Sequence, residues 1–326
     1  MPKVLIAPMT LAKVDAKFVH VLRDAGFELV YPEKPLQLVE DELIGALKGI
    51  NASLAGSEPY TDRVLAAHPQ LRVVARVGVG YDAVDVPAAT KHGVAVTIAP
   101  NTNQDAVAEH TFCMLLGLVK NVVAQHLGTC ALKFPRGANL PLRKRTLGIA
   151  GLGRIGKAVA LRGEVFGMKL LAYEPFPDKA FAAAHHIDLV PFDRLMAESD
   201  FVTLHLPLTA ESKYLINQRT LALMKPTAFL VNTARGGLVC EVDLIEALRA
   251  KKIAGAGLDV FEQEPPGPSP LFAMDNVLCT PHAAGVDLQS RDDMALSAAE
   301  AIVDLSRGAW PAEKIVNPDV RAKYRW

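Results

Sequence analysis

The 326-residue sequence predicts an α/β protein made of two doubly wound parallel-sheet domains. Three observations carry that expectation. Short apolar runs of strand length alternate with amphipathic runs of helix length along nearly the whole chain. The length suits two domains rather than one. The stretch over 146–156, TLGIAGLGRIG, reads as a strand, a glycine turn and the start of a helix.

Half of the residues are hydrophobic, so each domain can bury a core, and 35 basic residues balance 35 acidic ones. No basic stripe points to nucleic acid and no acidic tail to a disordered partner region. The apolar run at the N-terminus is too short for a signal peptide, and no run approaches the ~18 apolar residues of a membrane helix. Neither a nucleic-acid nor a membrane partner is therefore expected. Cys113, Cys130, Cys240 and Cys279 are scattered without paired spacing. That argues against a metal site or a redox pair and fits reduced thiols in the cytoplasm.

In the first hundred residues, strands are expected over 4–7, 27–31, 52–55, 71–77 and 94–98. Helices are expected over 12–25, 40–48 and 61–67. Val14, Phe18, Val21 and Leu22 form the apolar stripe of the first helix, and Gly26 stops it. The alternation describes a small flavodoxin-like domain without a dinucleotide fingerprint of its own. Within it, RVGVGYD over 76–82 puts two glycines directly after a strand. It reads either as a turn needing positive φ or as a loop whose amides hold a small anion such as a carboxylate. Composition favours the turn.

Residues 100–105 cross into the second domain. A long helix follows over 106–125, apolar around most of its circumference through Val107, His110, Cys113, Met114, Leu116, Leu118 and Val119. Such a helix suits a domain or subunit interface. A loop over 128–144 returns to the glycine stretch. There Gly151 permits a tight turn, Gly153 lets the backbone approach a pyrophosphate, and Gly156 lets helix and strand pack closely. The helix N-terminus offers N–H groups and a partial positive charge to that anion. Glu174 ends the next strand, 169–173, where the pattern places a carboxylate for ribose hydroxyls. These features read as a dinucleotide-binding Rossmann domain rather than a glycine-rich turn of another α/β fold.

The remaining strands are expected over 189–190, 201–205, 228–232, 255–260 and 277–280. Helices are expected over 180–185, 192–198, 217–223, 241–250 and 293–306, the last free to return to the first domain. Ligands gather beyond the carboxyl ends of strands in such sheets. NTARGG, GLDVFEQEPP and TPHAAG follow three of these ends, so Arg235, Glu264 and His282 lie on one rim. An Arg can hold a carboxylate by a bidentate pair, and a carboxylate beside a His favours its charged form and orients the ring. Together they suit moving a proton on or off a hydroxyl while a hydride moves to a nicotinamide. Singly, His282 could be a packing residue, Arg235 a surface ion pair and Glu264 a solvated acid. His205 lines the cofactor cleft or is a structural His. His185 and His186 read as solvated.

These segments carry a resemblance that covers nearly the whole chain. From RVGVGYDAVDV through GLGRIG, HLPLT, NTARGG and GLDVFEQEPP to TPHAAG, the sequence resembles the D-isomer-specific 2-hydroxyacid dehydrogenases. That family includes phosphoglycerate dehydrogenase and the hydroxypyruvate and glyoxylate reductases. The resemblance implies a substrate domain of both chain ends, 1–100 with 286–326, around a coenzyme domain, 101–285. It implies a homodimer joined through the coenzyme domain. Arg235 matches the substrate-binding Arg, Glu264 its acid, and His282 the acid/base. Val79 and Gly80 match the loop whose amides hold the substrate carboxylate. Arg154 and Ile155 match pyrophosphate positions, and Thr233, Ala234 and Asp259 the nicotinamide side. His205 and Pro207 of HLPLT fall on the cofactor side. Glu174, where members usually have Asp, implies NAD rather than NADP, since an acid repels the 2′-phosphate. Arg76 could assist a phosphate or second carboxylate, or pair with Asp82.

The expected activity is hydride transfer between NAD(H) and a D-2-hydroxy acid/2-oxoacid pair such as hydroxypyruvate, glyoxylate or phosphohydroxypyruvate. The alternative is an NAD-sensing corepressor-like binding protein of the same fold. Formate dehydrogenases carry Gln where this chain has Glu264. The 128–144 loop lacks the Trp often seen there. With the sequence ending at Trp326, no C-terminal regulatory domain and no serine feedback are expected.

Overall fold

The structure is a computed structural model and describes residues 1–33 and 37–326. Two compact units are formed, Met1–Asn103 with Val286–Trp326, and Gln104–Gly285. In chain order the elements are β1 (Lys3–Ile6), α1 (Lys17–Asp24), β2 (Glu28–Val30), α2 (Glu40–Ala46), β3 (Ala52–Ala55), α3 (Asp62–Ala66), β4 (Val73–Arg76), α4 (Val86–Lys91), β5 (Ala95–Thr97), α5 (Gln104–Val119) and α6 (Val122–Cys130). Then come β6 (Thr146–Ala150), α7 (Arg154–Val165), β7 (Lys169–Tyr173), α8 (Lys179–Ala184), β8 (Ile187–Leu189), α9 (Phe192–Glu198), β9 (Phe201–Leu204), α10 (Gln218–Leu221), β10 (Phe229–Asn232), α11 (Glu241–Arg249), β11 (Gly255–Leu258), β12 (Val277–Cys279) and α12 (Leu288–Ser306).

The first unit holds a five-stranded sheet in the order β2-β1-β3-β4-β5, with every pair parallel. This is the flavodoxin-type order, whose ligand end is the carboxyl rim beside the β1/β3 switch point. Its central strands are apolar without alternation because both faces are covered. On one face Phe18, Val19 and Leu22 of α1 pack with Ala295, Ala298, Ala299 and Ile302 of α12. The alanine row lets α12, the returning chain end, lie close to the sheet. On the other face Leu43, Val64, Leu65, Ala88 and Ala89 come from α2, α3 and α4.

Three helix assignments in this unit differ from the sequence expectation. The first helix begins at Lys17, not 12, because Lys13 has a φ of +57° and cannot belong to a right-handed helix. α4 was not expected at all, although Asp85 caps it by accepting from the Ala88 amide at 2.9 Å and Pro87 sits in its first turn. The closing helix begins at Leu288, ahead of 293, because the Asp287 side chain caps it through the Ser290 amide at 2.6 Å.

The second unit holds a seven-stranded parallel sheet, β12-β11-β10-β9-β6-β7-β8. Strand order reverses between β6 and β9, the switch point where a doubly wound sheet opens a ligand crevice. Phe112 and Leu115 of α5 pack with Val159 and Ala160 of α7 on one face. Leu195, Leu221, Leu244 and Leu248 cover the other. The helix expected over 106–125 is in fact two. Asn121 takes a φ of +52°, and α5 and α6 are bent by 57° at that break. Half of the residues of α5 are buried, whereas none of the residues of α6 is. The strand expected over 189–190 is β8, which starts earlier, directly after the left-handed turn at His186.

Among the described residues no single helix is long and apolar enough to cross a membrane. Among them, too, no cluster of three His, Cys, Asp or Glu side chains is placed to hold a metal ion.

Candidate active site

β6 delivers the glycine loop to the switch point. Its edges are pinned by the His205 amide donating to the Ala150 carbonyl at 2.7 Å and the Gly151 amide donating to the Tyr173 carbonyl at 2.8 Å. Gly151 has a φ of +98°, and a β-carbon there would lie 2.7 Å from the His205 carbonyl carbon. A β-carbon at Gly156 would overlap the Gly151 carbonyl oxygen. Gly153, by contrast, is exposed with open space beside it, and no side chain caps α7. The first amides of α7 are thus left to an outside anion. Arg154 is exposed and Ile155 half-buried beside them.

Glu174 reaches back over this loop from the end of β7. Its Oε2 accepts the Leu152 amide at 2.8 Å and its Oε1 the Phe176 amide at 3.1 Å. An open glycine position, an uncapped helix start and an acid at the neighbouring strand end fit a dinucleotide. His205 ends β9 behind the loop. Both its ring nitrogens are enclosed without a partner, and burial pushes its pKa down to about 3, so the ring is neutral. Just beyond it, the Pro207 carbonyl accepts the Ser212 hydroxyl at 2.7 Å.

Further along the same rim, β10 ends at buried Asn232. Its Oδ1 accepts the Ala234 amide at 3.0 Å and its Nδ2 donates to the Arg235 carbonyl at 2.8 Å, which fixes the turn that presents Arg235. The Thr233 hydroxyl is tied to that of Thr111 on α5 at 3.0 Å. The Arg235 Nη1 donates to the Ala234 carbonyl at 2.6 Å. Gly236 lies so close to the segment after β11 that a β-carbon would overlap the Phe261 carbonyl. The Arg235 turn and the Glu264 segment therefore pack backbone to backbone.

Glu264 Oε1 accepts the Phe261 amide at 3.0 Å, and its Oε2 meets His282 Nδ1 at 2.6 Å. Burial works to raise the Glu264 pKa. The His282 hydrogen bond and charge, the Phe261 amide and the Arg235 charge outweigh it and hold the carboxyl below its usual range. His282 sits at φ +52°, half exposed, with Nδ1 taken and Nε2 left to face outward. A residue other than glycine holds that conformation only when its surroundings over-determine it.

Here Asp259 supplies the constraint. Its carboxylate is fully buried: Oδ1 accepts the Thr280 hydroxyl at 2.6 Å and the Ala283 amide at 2.9 Å, and Oδ2 accepts the Ala284 amide at 2.9 Å. Its carbonyl accepts the His282 amide at 2.7 Å. His110 of α5 lies 2.9 Å from the Thr280 oxygen. Because the single hydroxyl proton of Thr280 goes to Asp259, His110 Nε2 must be the donor in that bond. Sequence reasoning did not single out Thr280, Asn232, Gly236 or His110 as site residues. A histidine in an otherwise apolar helix and a threonine directly after a strand were the available signals.

The first unit places Arg76, Val79 and Gly80 together after β4. Arg76 Nε donates to the Gly80 carbonyl and its Nη1 to the Ala55 carbonyl, both at 2.8 Å. Gly78 has a φ of +156°, so a turn needing glycine is present. Among the described residues, the Val79 and Gly80 amides have no acceptor, so the anion-loop reading keeps its donors as well.

The chain is similar to known proteins over both units. The family model for the D-isomer specific 2-hydroxyacid dehydrogenase NAD binding domain matches residues 112–284. A D-3-phosphoglycerate dehydrogenase from a Synechocystis species is 40% identical over 88% of this chain and 53% of its own. A glyoxylate reductase from Korarchaeum cryptofilum is 41% identical over 81% of each chain. The crystal structure of D-lactate dehydrogenase from Aquifex aeolicus, complexed with NAD and lactic acid, superposes with a TM-score of 0.84 at 28% identity, covering 96% of this chain and 98% of that one. The fold and the rim define a nicotinamide-dinucleotide-binding α/β protein. The chain belongs to the D-isomer specific 2-hydroxyacid dehydrogenase family. It spans about half the length of the phosphoglycerate dehydrogenase it matches.

Proposed function

We propose that the protein is an NAD-dependent dehydrogenase that interconverts a D-2-hydroxy acid and its 2-oxoacid. The observation that carries this reading is the 2.6 Å pair of Glu264 and His282 on the strand-end rim that also bears the glycine loop. In this reading the second unit is the coenzyme domain and the first the substrate domain. Gly151, Gly153, Gly156, Arg154 and Ile155 hold the pyrophosphate, and Glu174 a ribose. His205, Pro207, Thr233, Ala234 and Asp259 shape the cofactor side.

When bound, nicotinamide dinucleotide supplies the hydride for reduction or takes it in oxidation. The protein's residues do the rest. Of the first unit, the Val79 and Gly80 amides are the donors offered to a substrate carboxylate; of the second, Arg235 is the substrate-binding arginine. Glu264 accepts from Nδ1–H of His282 and fixes the ring, so Nε2 is the atom that exchanges the proton. In reduction Nε2 gives that proton to the carbonyl oxygen, which becomes the hydroxyl. In oxidation it takes the hydroxyl proton. A positioned acid of this kind is worth roughly 10²–10⁴ in rate.

The test is NADH oxidation with a panel of 2-oxoacids, among them glyoxylate, pyruvate, hydroxypyruvate and phosphohydroxypyruvate. Turnover with at least one is expected. None with any, together with NADH-dependent capture of a protein partner, would favour a corepressor-like binding protein.

We also propose a homodimer joined through the second unit and a cytoplasmic location. The first is supported by the apolar side chains that Val122, Val123, Leu127, Leu132 and Phe134 expose on and beside α6. Sedimentation of a Leu127→Asp variant as a monomer, against a dimeric parent, tests it. The second is supported by four cysteines that are all free.

A further inference from the structure

Glu58 is the only acidic side chain of the described first unit that is almost fully buried, at 2% exposure, and the mechanism above does not use it. It follows β3, at the carboxyl rim beside the β1/β3 switch point, where a sheet of this order takes its ligand. Its carboxylate folds back so that Oε2 accepts the Gly56 amide at 2.6 Å. A β-carbon at Gly56 would come within 2.9 Å of Oε1, so glycine leaves the room the carboxylate fills.

Arg76 stands next to it from the end of β4. Its guanidinium spans the rim, donating to Ala55 at the end of β3 and to Gly80 at the end of the glycine loop. The Arg76 charge acts to lower the Glu58 pKa, while burial, the larger effect, raises it. Two consequences follow for the rim. Two guanidinium donors, Nε and Nη1, are aimed at backbone carbonyls rather than at an incoming anion. The positive charge that would attract that anion faces a buried carboxylate. Among the described residues of this loop, the Val79 and Gly80 amides remain for an anion. One carboxylate can be held there. A second anionic group on the same substrate would find the Arg76 charge already offset by the buried Glu58 carboxylate.

We propose that Glu58 is a specificity-determining residue, and that the protein acts on 2-oxoacids whose side chain is uncharged while rejecting phosphorylated and dicarboxylic ones. This rests on the reading of the protein as a 2-oxoacid reductase with its substrate carboxylate at the 79–80 loop. A like charge left uncompensated in a desolvated site discriminates against the ligand that brings it.

The experiment is the ratio of kcat/KM for glyoxylate, pyruvate and hydroxypyruvate to that for phosphohydroxypyruvate and oxaloacetate. It is measured with NADH for the full chain and for Glu58→Gln, which keeps the shape and removes the charge. A preference of roughly a hundredfold or more for the uncharged set is expected in the parent, shrinking at least tenfold in Glu58→Gln. The reverse preference, or equal use of both sets, overturns the inference and leaves the dehydrogenase reading standing. Absence of turnover with every compound overturns both. If Glu58→Gln fails to fold, by circular dichroism and thermal melting, the parent's ratio still decides. A parent ratio unchanged in a folded Glu58→Gln removes Glu58 as its cause.

Discussion

The Thr280 hydroxyl donates to the buried Asp259 carboxylate at 2.6 Å, and that carboxylate in turn accepts the two amides that follow His282. The acid thus anchors the loop that bears His282. A Thr280→Val variant leaves a buried carboxylate oxygen and His110 each short of a partner, at about 1–3 kcal/mol. We expect kcat to fall roughly tenfold to a hundredfold through displacement of His282, with NADH affinity little changed. Thr280→Ser, which keeps the hydroxyl, should recover most of the rate. Equal impairment of the two variants would show that the hydroxyl bond does not position the loop.

His282→Ala should abolish turnover while NADH binding, followed by fluorescence titration, stays nearly intact. Glu264→Gln should retain a small fraction of activity. Substantial turnover by His282→Ala would remove that residue from the mechanism.

Gly236 is where the Arg235 turn and the Glu264 segment touch. Gly236→Ala forces a methyl into the Phe261 carbonyl and should cost about 1–3 kcal/mol of stability together with catalytic efficiency. Gly45, inside α2 with open space where a β-carbon would stand, is the control: Gly45→Ala should be neutral or stabilising by about 0.5–1 kcal/mol. Chemical denaturation and kcat/KM on both variants test the pair.

Burial holds the His205 pKa at about 3, well below the ordinary value for histidine, so the unfolded chain binds a proton there that the folded chain does not. That contribution to stability is complete above roughly pH 6.5 and is lost as pH falls toward the folded value, up to a few kcal/mol. His205→Gln should flatten the fall in urea midpoint between pH 7 and pH 4 relative to the parent. An unchanged slope would mean that other groups dominate the acid limb.

Glu174 reaches over the glycine loop, its Oε2 accepting the Leu152 amide at 2.8 Å, and in the proposed reading it faces a ribose. Catalytic efficiency with NADH should exceed that with NADPH by roughly a hundredfold, as expected when a phosphate is forced against an acid. Glu174→Ala should narrow the gap. A parent that prefers NADPH would refute the NAD assignment.

Much of the architecture was legible because its signals are local. Alternating apolar runs placed β6, β7, α9 and α11 to within a residue or so, and the glycine spacing located the turn between β6 and α7. The failures have local causes as well. Lys13 and Asn121 adopt left-handed backbone that a helical apolar pattern does not exclude, so one helix was drawn too long and another drawn unbroken. α4 escaped because its short apolar content is weak, although Asp85 and Pro87 announce its start.

From residue order alone came the α/β class, the dinucleotide loop at Gly151–Gly153–Gly156, the acid at Glu174, and the placing of Arg235, Glu264 and His282 at strand ends. These rest on turn chemistry and side-chain periodicity, which act over a few residues. The tertiary structure decided which of those side chains meet. Glu264 reaches His282 across 18 residues because β11 and β12 are neighbours, and His110 reaches Thr280 across 170 because α5 packs on the same sheet. The Arg76 charge acts on Glu58 for the same reason, since β3 and β4 pair in parallel and end on one rim. Strand order and helix packing set these distances, and neither is written in any short stretch of the chain.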